Sequence, residues 1–266
     1  MAPGNDKFIP LVVGCPTMAW SAGQRYVAEF LGTFGLLLAV AGAAVLSLNL
    51  PLYAGTDGRV VLIGLSIGLG VIGMIYAFGD ISGAHFNPAV TLAMWAAGRF
   101  RARDVIPYIV AQLMGGIVAV AAVAGIAYGS PTLWASARAA ALSAQGYAGN
   151  GSPYTVGVGS VFLFETVFTF FLVVVILFVT RAENSSKNLA PLGIGLTLAM
   201  ANLIGIPIDG ASVNPARSFG PAILSAAWPA STWAIQQDWI FWVAPIVGGL
   251  LAAGVARALR PAHSID

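Results

Sequence analysis

The chain has 266 residues, 58% of them hydrophobic and only 8% charged, with a net charge of +2. Soluble domains carry roughly 25% charged residues, so this balance marks an integral membrane protein and offers nucleic acid no binding surface. The one cysteine, Cys15, excludes an internal disulfide framework, and with His85 and His263 as the two histidines no metal site or histidine relay can be assembled, so no metal or cofactor is expected.

In chain order, residues 1–24 contain Lys7 and a short apolar run, Phe8 to Val13. That run is too short for a secretion signal and lacks the small-residue cleavage site that should follow one. Val12-Val13-Gly14-Cys15 only faintly resembles a lipoprotein processing site. The segment reads as a mobile or surface-lying N-terminal tail. Six apolar segments follow, at about Tyr26–Leu48, Val60–Phe78, Val105–Tyr128, Thr155–Val179, Leu189–Ile206 and Trp239–Leu259. Each approaches the ~20 apolar residues that cross a bilayer as a helix. A polar, small-residue connection, Gly129 to Tyr154, separates the third from the fourth, and residues 261–266 form a C-terminal tail.

Between the second and third segments stands Ser82-Gly83-Ala84-His85-Phe86-Asn87-Pro88-Ala89-Val90, and after the fifth stands its echo, Asp209-Gly210-Ala211-Ser212-Val213-Asn214-Pro215-Ala216-Arg217. Asn is a favoured helix N-cap, and Pro suits the first helical position because its missing N–H would be unsatisfied there anyway. Each copy therefore predicts a loop feeding a short helix, Ala89–Ala97 or Ala216–Ala226, about half a span long. A single Asn-Pro-Ala is usually an ordinary turn. Two, in matching places of an apolar chain, point to a central site, because non-helical backbone at membrane depth survives only where protein buries it or water lines it.

The halves also share Glu-x-x-x-Thr, at Glu29–Thr33 and Glu165–Thr169. Three spans per half force the repeats, about 25–128 and 155–260, into opposite orientations, so one loop enters from each side. With the N-terminus inside, Lys7, Arg25, Arg99, Arg101, Arg103, Arg181, Lys187, Arg257 and Arg260 lie on the cytoplasmic side, against Arg59, Arg138 and Arg217 outside. Both termini are expected in the cytoplasm. Gly64, Gly68, Gly115, Gly116, Gly248 and Gly249 supply small surfaces for helix crossings.

The chemistry follows from the two caps. The side-chain oxygen of Asn87 is expected to accept from the N–H of Val90, and that of Asn214 from Arg217, leaving both amides free to donate at the midplane. Each is backed by a helix N-terminus with roughly half a positive charge. A water held there has its hydrogens turned outward and cannot relay a proton, and cations meet an unfavourable field. Gly83, Ala84, His85, Phe86, Gly210, Ala211, Ser212 and Val213 are expected to offer backbone carbonyls to passing water. Arg217 reads as a solute donor and cation barrier, or else as an ion pair with Asp209. Glu29 and Glu165 are expected to brace the loops by accepting from their N–H groups rather than to relay protons. His85 is expected to line the wall and brace its loop.

These motifs resemble the aquaporin (major intrinsic protein) family, over about Arg25 to Arg260, and most closely its bacterial aquaporin Z group. The resemblance implies an all-α, right-handed bundle of six tilted helices plus two re-entrant half-helices, a pore in each subunit, and a homotetramer in the cell membrane. Glycerol channels of the family carry Asp after the second motif's Arg, where this chain has Ser218, and Ala222, Phe241 and Trp242 also resemble the water branch. The four filter positions fall on Ile67, Asn202, Ala211 and Arg217. Water channels of this type usually have an aromatic at the first and His at the second. Their replacement implies a wider constriction passing water and small neutral solutes such as glycerol, urea or ammonia. A secondary transporter with inverted repeats remains as an alternative, but the broken segments offer only Asp80 and Asp209 for a coupling ion. A membrane-embedded enzyme is weaker still, since no paired carboxylates or nucleophile–base spacing appear.

Overall fold

The computed structural model describes residues 20–47, 56–151 and 154–259. The N-terminal tail with Lys7 and Cys15, Arg260 and the C-terminal tail lie outside the described residues. Among the described residues, six helices are long and apolar enough to cross a membrane: α1 (Ala22–Leu46), α2 (Thr56–Ser82), α4 (Ala102–Tyr128), α6 (Val158–Val179), α7 (Ala190–Asp209) and α10 (Ile240–Ala258). Between them sit the half-helices α3 (Pro88–Ala96) and α8 (Pro215–Ser225). At 1.5 Å per residue these are roughly 14 and 16 Å long, about half the ~30 Å hydrocarbon core. The protein is a multi-pass membrane protein of six spanning helices and two re-entrant ones.

Several boundaries differ from expectation for local reasons. Helix α1 starts four residues before Tyr26, because Ser21 and Gln24 form a reciprocal capping box ahead of the apolar run. Helices α2 and α7 run on past Phe78 and Ile206, to Ser82 and Asp209. Gly210, at φ 90°, then ends α7 with its N–H on the Ile206 carbonyl. Two short helices inside polar connections were not expected, α5 (Pro131–Ala139) and α9 (Trp233–Gln237). Ser130 caps α5 by accepting from the Leu133 N–H at 3.4 Å, with Pro131 at N1.

The halves pack as an inverted repeat. Helix α1 lies on α4 and α6 on α10, while each half's last span docks the other half's half-helix, α4 on α8 and α10 on α3. Glycines set these approaches at matched positions. A Cβ on Gly115 would strike the Phe30 carbonyl oxygen, and one on Gly248 the Thr166 carbonyl oxygen. Next to them, a Cβ on Gly116 would sit 2.8 Å from the Ala216 carbonyl and one on Gly249 3.0 Å from that of Ala89. Gly64 and Gly68 serve the α2–α7 crossing in the same way, against Leu203 and Ala199.

Overpacking such a contact costs about 1–3 kcal/mol or more, because the obstacle is backbone and cannot rotate away. Gly115→Val and Gly248→Val are therefore expected to lower the unfolding temperature in detergent by several degrees. Gly125→Ala, which meets nothing within 4 Å, should leave it in place.

Candidate functional site: a pore between two half-helix tips

Asn87 and Asn214 cap α3 and α8 from extended backbone, with Pro88 and Pro215 at N1. Their side-chain oxygens accept from the N–H groups of Ala89 at 2.8 Å and Ala216 at 2.9 Å, not from Val90 and Arg217. Proline removes the N1 donor, so the nearest N–H within reach of the Asn oxygen is the one directly after it.

The amides are not wholly free either. Asn87 Nδ2 donates to the Val213 carbonyl at 2.8 Å, and Asn214 Nδ2 donates to the Phe86 carbonyl at 2.9 Å. Each tip thus holds the other loop, and the exchange joins the two halves at their centre. An Asn amide has two hydrogens, so one remains on each side for a ligand. The carbonyls of Phe86 and Val213 are consumed by this bracing and do not belong to the row of free acceptors.

The loops repeat one backbone pattern. Gly83, Ala84 and Phe86 have φ of 86, 49 and 49°, and Gly210, Ala211 and Val213 have φ of 90, 50 and 47°. Left-handed residues without glycine cost of order 1–3 kcal/mol each, so something must over-determine them. Alternation with such residues turns successive N–H groups to one side, a concavity that binds anions. Glu29 fills the first: it accepts from the N–H of His85 at 3.0 Å and of Phe86 at 2.7 Å. Glu165 fills the second, accepting from Ser212 and Val213, both at 2.7 Å. Both carboxylates are fully buried. Gly83, Ala84, His85 and Ser212 of these loops border open space.

That space is a cavity with about 40 Å³ open to the centres of water molecules, on the order of three waters at ~10–15 Å³ each. Its polar lining consists of Gly83, Ala84, His85, Asn87, Ser212, Asn214 and Arg217, and its apolar wall includes Ile67, Leu36 and Leu172. His85 is held from behind, with Nδ1 3.2 Å from Thr91 Oγ1 and its ring against Phe100 and Tyr108. Arg217 also lines the cavity, 3% exposed, donating to the Ser143 carbonyl at 2.9 Å and weakly to that of Gly210 at 3.4 Å. Backbone carbonyls, not Asp209, hold its guanidinium.

Of the four positions expected to form the filter, Ile67 and Arg217 line this cavity. Asn202 and Ala211 do not. Asn202 is fully buried and donates to the carbonyl of Leu198, one turn back on its own helix, at 3.0 Å. Ala211 is also fully buried, its N–H on Asp209 Oδ1 at 2.8 Å. Gly210 likewise stays outside the lining, its carbonyl turned to Arg217. Expectation missed several supporting residues. Ser82 and Gln112 donate to Glu29 at 2.6 and 2.7 Å, and Tyr108 donates to the Ser82 carbonyl at 2.8 Å. Gln112, a polar side chain inside a spanning helix, carried a signal of its own.

The sequence matches the family described as Major intrinsic protein over residues 17–255. The chain belongs to the major intrinsic protein family. Members of this family are channels, not enzymes. Among curated relatives, aquaporin Z of Photorhabdus laumondii subsp. laumondii is 43% identical over 241 residues, spanning 89% of this chain and 97% of that one. Aquaporin Z of Rhodopseudomonas palustris is 41% identical over 244 residues, spanning 90% and 94%. In fold the chain is similar to the X-ray structure of the aquaglyceroporin from Plasmodium falciparum, at a TM-score of 0.77 and 23% identity over 90% of this chain and 97% of that one.

Proposed function

We propose that the protein is a passive channel for water and small neutral solutes that excludes protons and ions. It acts in the cell membrane as a homotetramer with a pore in each subunit and both termini cytoplasmic. Residues of about 25–260 form one channel domain of two repeats. The reciprocal bracing of Asn87 and Asn214 carries this reading. It fixes two helix tips against each other and leaves one N–H on each amide for the oxygen of a passing water. A water so held donates outward to the carbonyl rows on either side, so its hydrogen-bond direction reverses at the centre and proton hopping stops there. The similarity to aquaporin Z proteins supports water as the main permeant.

The constriction is Ile67 opposite Arg217, with Asn202 and Ala211 as the remaining positions of the filter. An aliphatic side chain in place of an aromatic leaves room beside the guanidinium for solutes larger than water. Stopped-flow swelling of proteoliposomes in gradients of glycerol, urea and ammonia tests this directly, and equal exclusion of glycerol and urea would overturn the wide filter. The double variant Ile67→Phe with Asn202→His is expected to keep water flux and reduce glycerol and urea uptake. Unchanged uptake in that variant would remove these positions from the filter.

A further inference from the structure

The two halves serve their buried carboxylates unequally. Glu29 accepts from two backbone N–H groups, from Ser82 Oγ at 2.6 Å and from Gln112 Nε2 at 2.7 Å. Among the described residues Glu165 accepts only from the N–H groups of Ser212 and Val213. The missing donors can be located by superposing the repeats. Setting Asn87 on Asn214 puts Asp209 at the place of Ser82, and setting Gly115 on Gly248 puts Pro245 at the place of Gln112. Pro245 has nothing to donate.

Asp209 performs half of the task of Ser82. Its Oδ1 accepts from the Ala211 N–H at 2.8 Å, as Ser82 Oγ accepts from the Ala84 N–H at 3.1 Å. Its Oδ2 is buried and has no partner, in a residue that is itself 0% exposed. Among the described residues no ion pair joins Asp209 to Arg217, whose Nη groups go to carbonyls. The charged groups acting on Asp209 are Glu165 from α6 and Arg217 from α8. The covering segment 141–151 has Tyr147 as its one titratable side chain, and Tyr147 packs against the apolar cluster of Val161, Ile240, Phe241 and Ala244.

Two buried carboxylates sharing one site do not both ionise. We infer that Asp209 is a positioning residue of the second re-entrant loop, holding a proton on Oδ2 and donating it to Glu165, as Ser82 donates its hydroxyl to Glu29. Glu165 then has the third donor that its counterpart has, and the loop 210–213 keeps the shape that presents Gly210 to Arg217. Loss of that proton to water leaves two like charges facing each other across the loop, so the outer end of the pore loosens as pH rises. The inference deepens the channel reading, and only its flux readout rests on that reading.

The test uses the full-length protein in proteoliposomes, wild type against Asp209→Ser and Asp209→Asn. Both substitutions keep an acceptor for the Ala211 N–H and supply Glu165 with a donor that does not titrate. Infrared absorption is expected to show a protonated carboxyl C=O band in the wild type at neutral pH that both variants lack. Water flux of the wild type is expected to fall reversibly as the pH is raised into the range where the band disappears, while the variants give flat curves. Absence of the band, as for an ionised Asp209 facing the guanidinium, overturns the shared proton. A flat wild-type flux curve across the range where the band is lost overturns the positioning role. Should no variant or wild type conduct water, the channel reading fails and the band still decides the proton.

Discussion

Glu29→Ala is expected to abolish the folded, conducting protein, and Glu165→Ala to weaken it far less. Removing Glu29 strands four donors in the interior: the N–H groups of His85 and Phe86, the Ser82 hydroxyl and the Gln112 amide. A buried donor left without a partner costs about 1–3 kcal/mol, and total stabilities are about 5–15 kcal/mol, so four losses together consume most of the margin. The left-handed conformations of Ala84 and Phe86 also lose the anion that holds them. Glu165→Ala strands two N–H groups, those of Ser212 and Val213. Thermal unfolding in detergent and elution as a single species measure the difference. Equal losses in the two variants would mean that the side-chain donors around Glu29 contribute nothing. Glu29→Gln should fall between, because its amide keeps one acceptor oxygen and turns a donor toward other donors.

The span pattern and the central loops were legible because each has a signature that needs no tertiary information. Apolar length marks a spanning helix, and Asn-Pro-Ala carries its own cap and its own first helical residue. The paired glutamates could also be placed, since a buried carboxylate beside a loop of unpaired N–H groups has one obvious use. What escaped was set by contacts between distant backbone atoms. The partners of the Asn87 and Asn214 amides are the carbonyls of Val213 and Phe86, and a carbonyl leaves no mark in the sequence. The same holds for Ser143. The segment containing it read as a featureless polar connection, yet its carbonyl accepts from both Arg217 and Gln145. Successive residues there, Ala141, Leu142 and Ser143, all have positive φ, a conformation that Ala and Leu do not advertise. Asn202 has a near partner that the motif spacing did not show: its amide donates to the Leu198 carbonyl one helical turn back.

Arg217→Val is expected to turn a selective pore into a leaky one without stopping water. Superposing the repeats puts Arg217 on Val90, and both line the cavity, so the substitution makes the two loops alike at this position. The carbonyls of Ser143 and Gly210 lose their donor, but water can enter the space that the guanidinium vacates and take its place, and the fold should tolerate the change. The charge is not replaced. At roughly 6 Å and an effective dielectric of about 20, a unit charge opposes a passing cation by roughly 3 kcal/mol, which is about a hundredfold in rate. Cation conductance across reconstituted bilayers should rise on that scale, and glycerol uptake should rise with the space vacated beside Ile67. Arg217→Lys separates the two contributions. An ammonium keeps the positive charge but cannot span both carbonyls with a planar fork. It should therefore still exclude cations while admitting more glycerol than the wild type. If Arg217→Val excluded cations as well as the wild type does, the barrier would lie wholly at the Asn87–Asn214 centre, where the two helix N-termini meet.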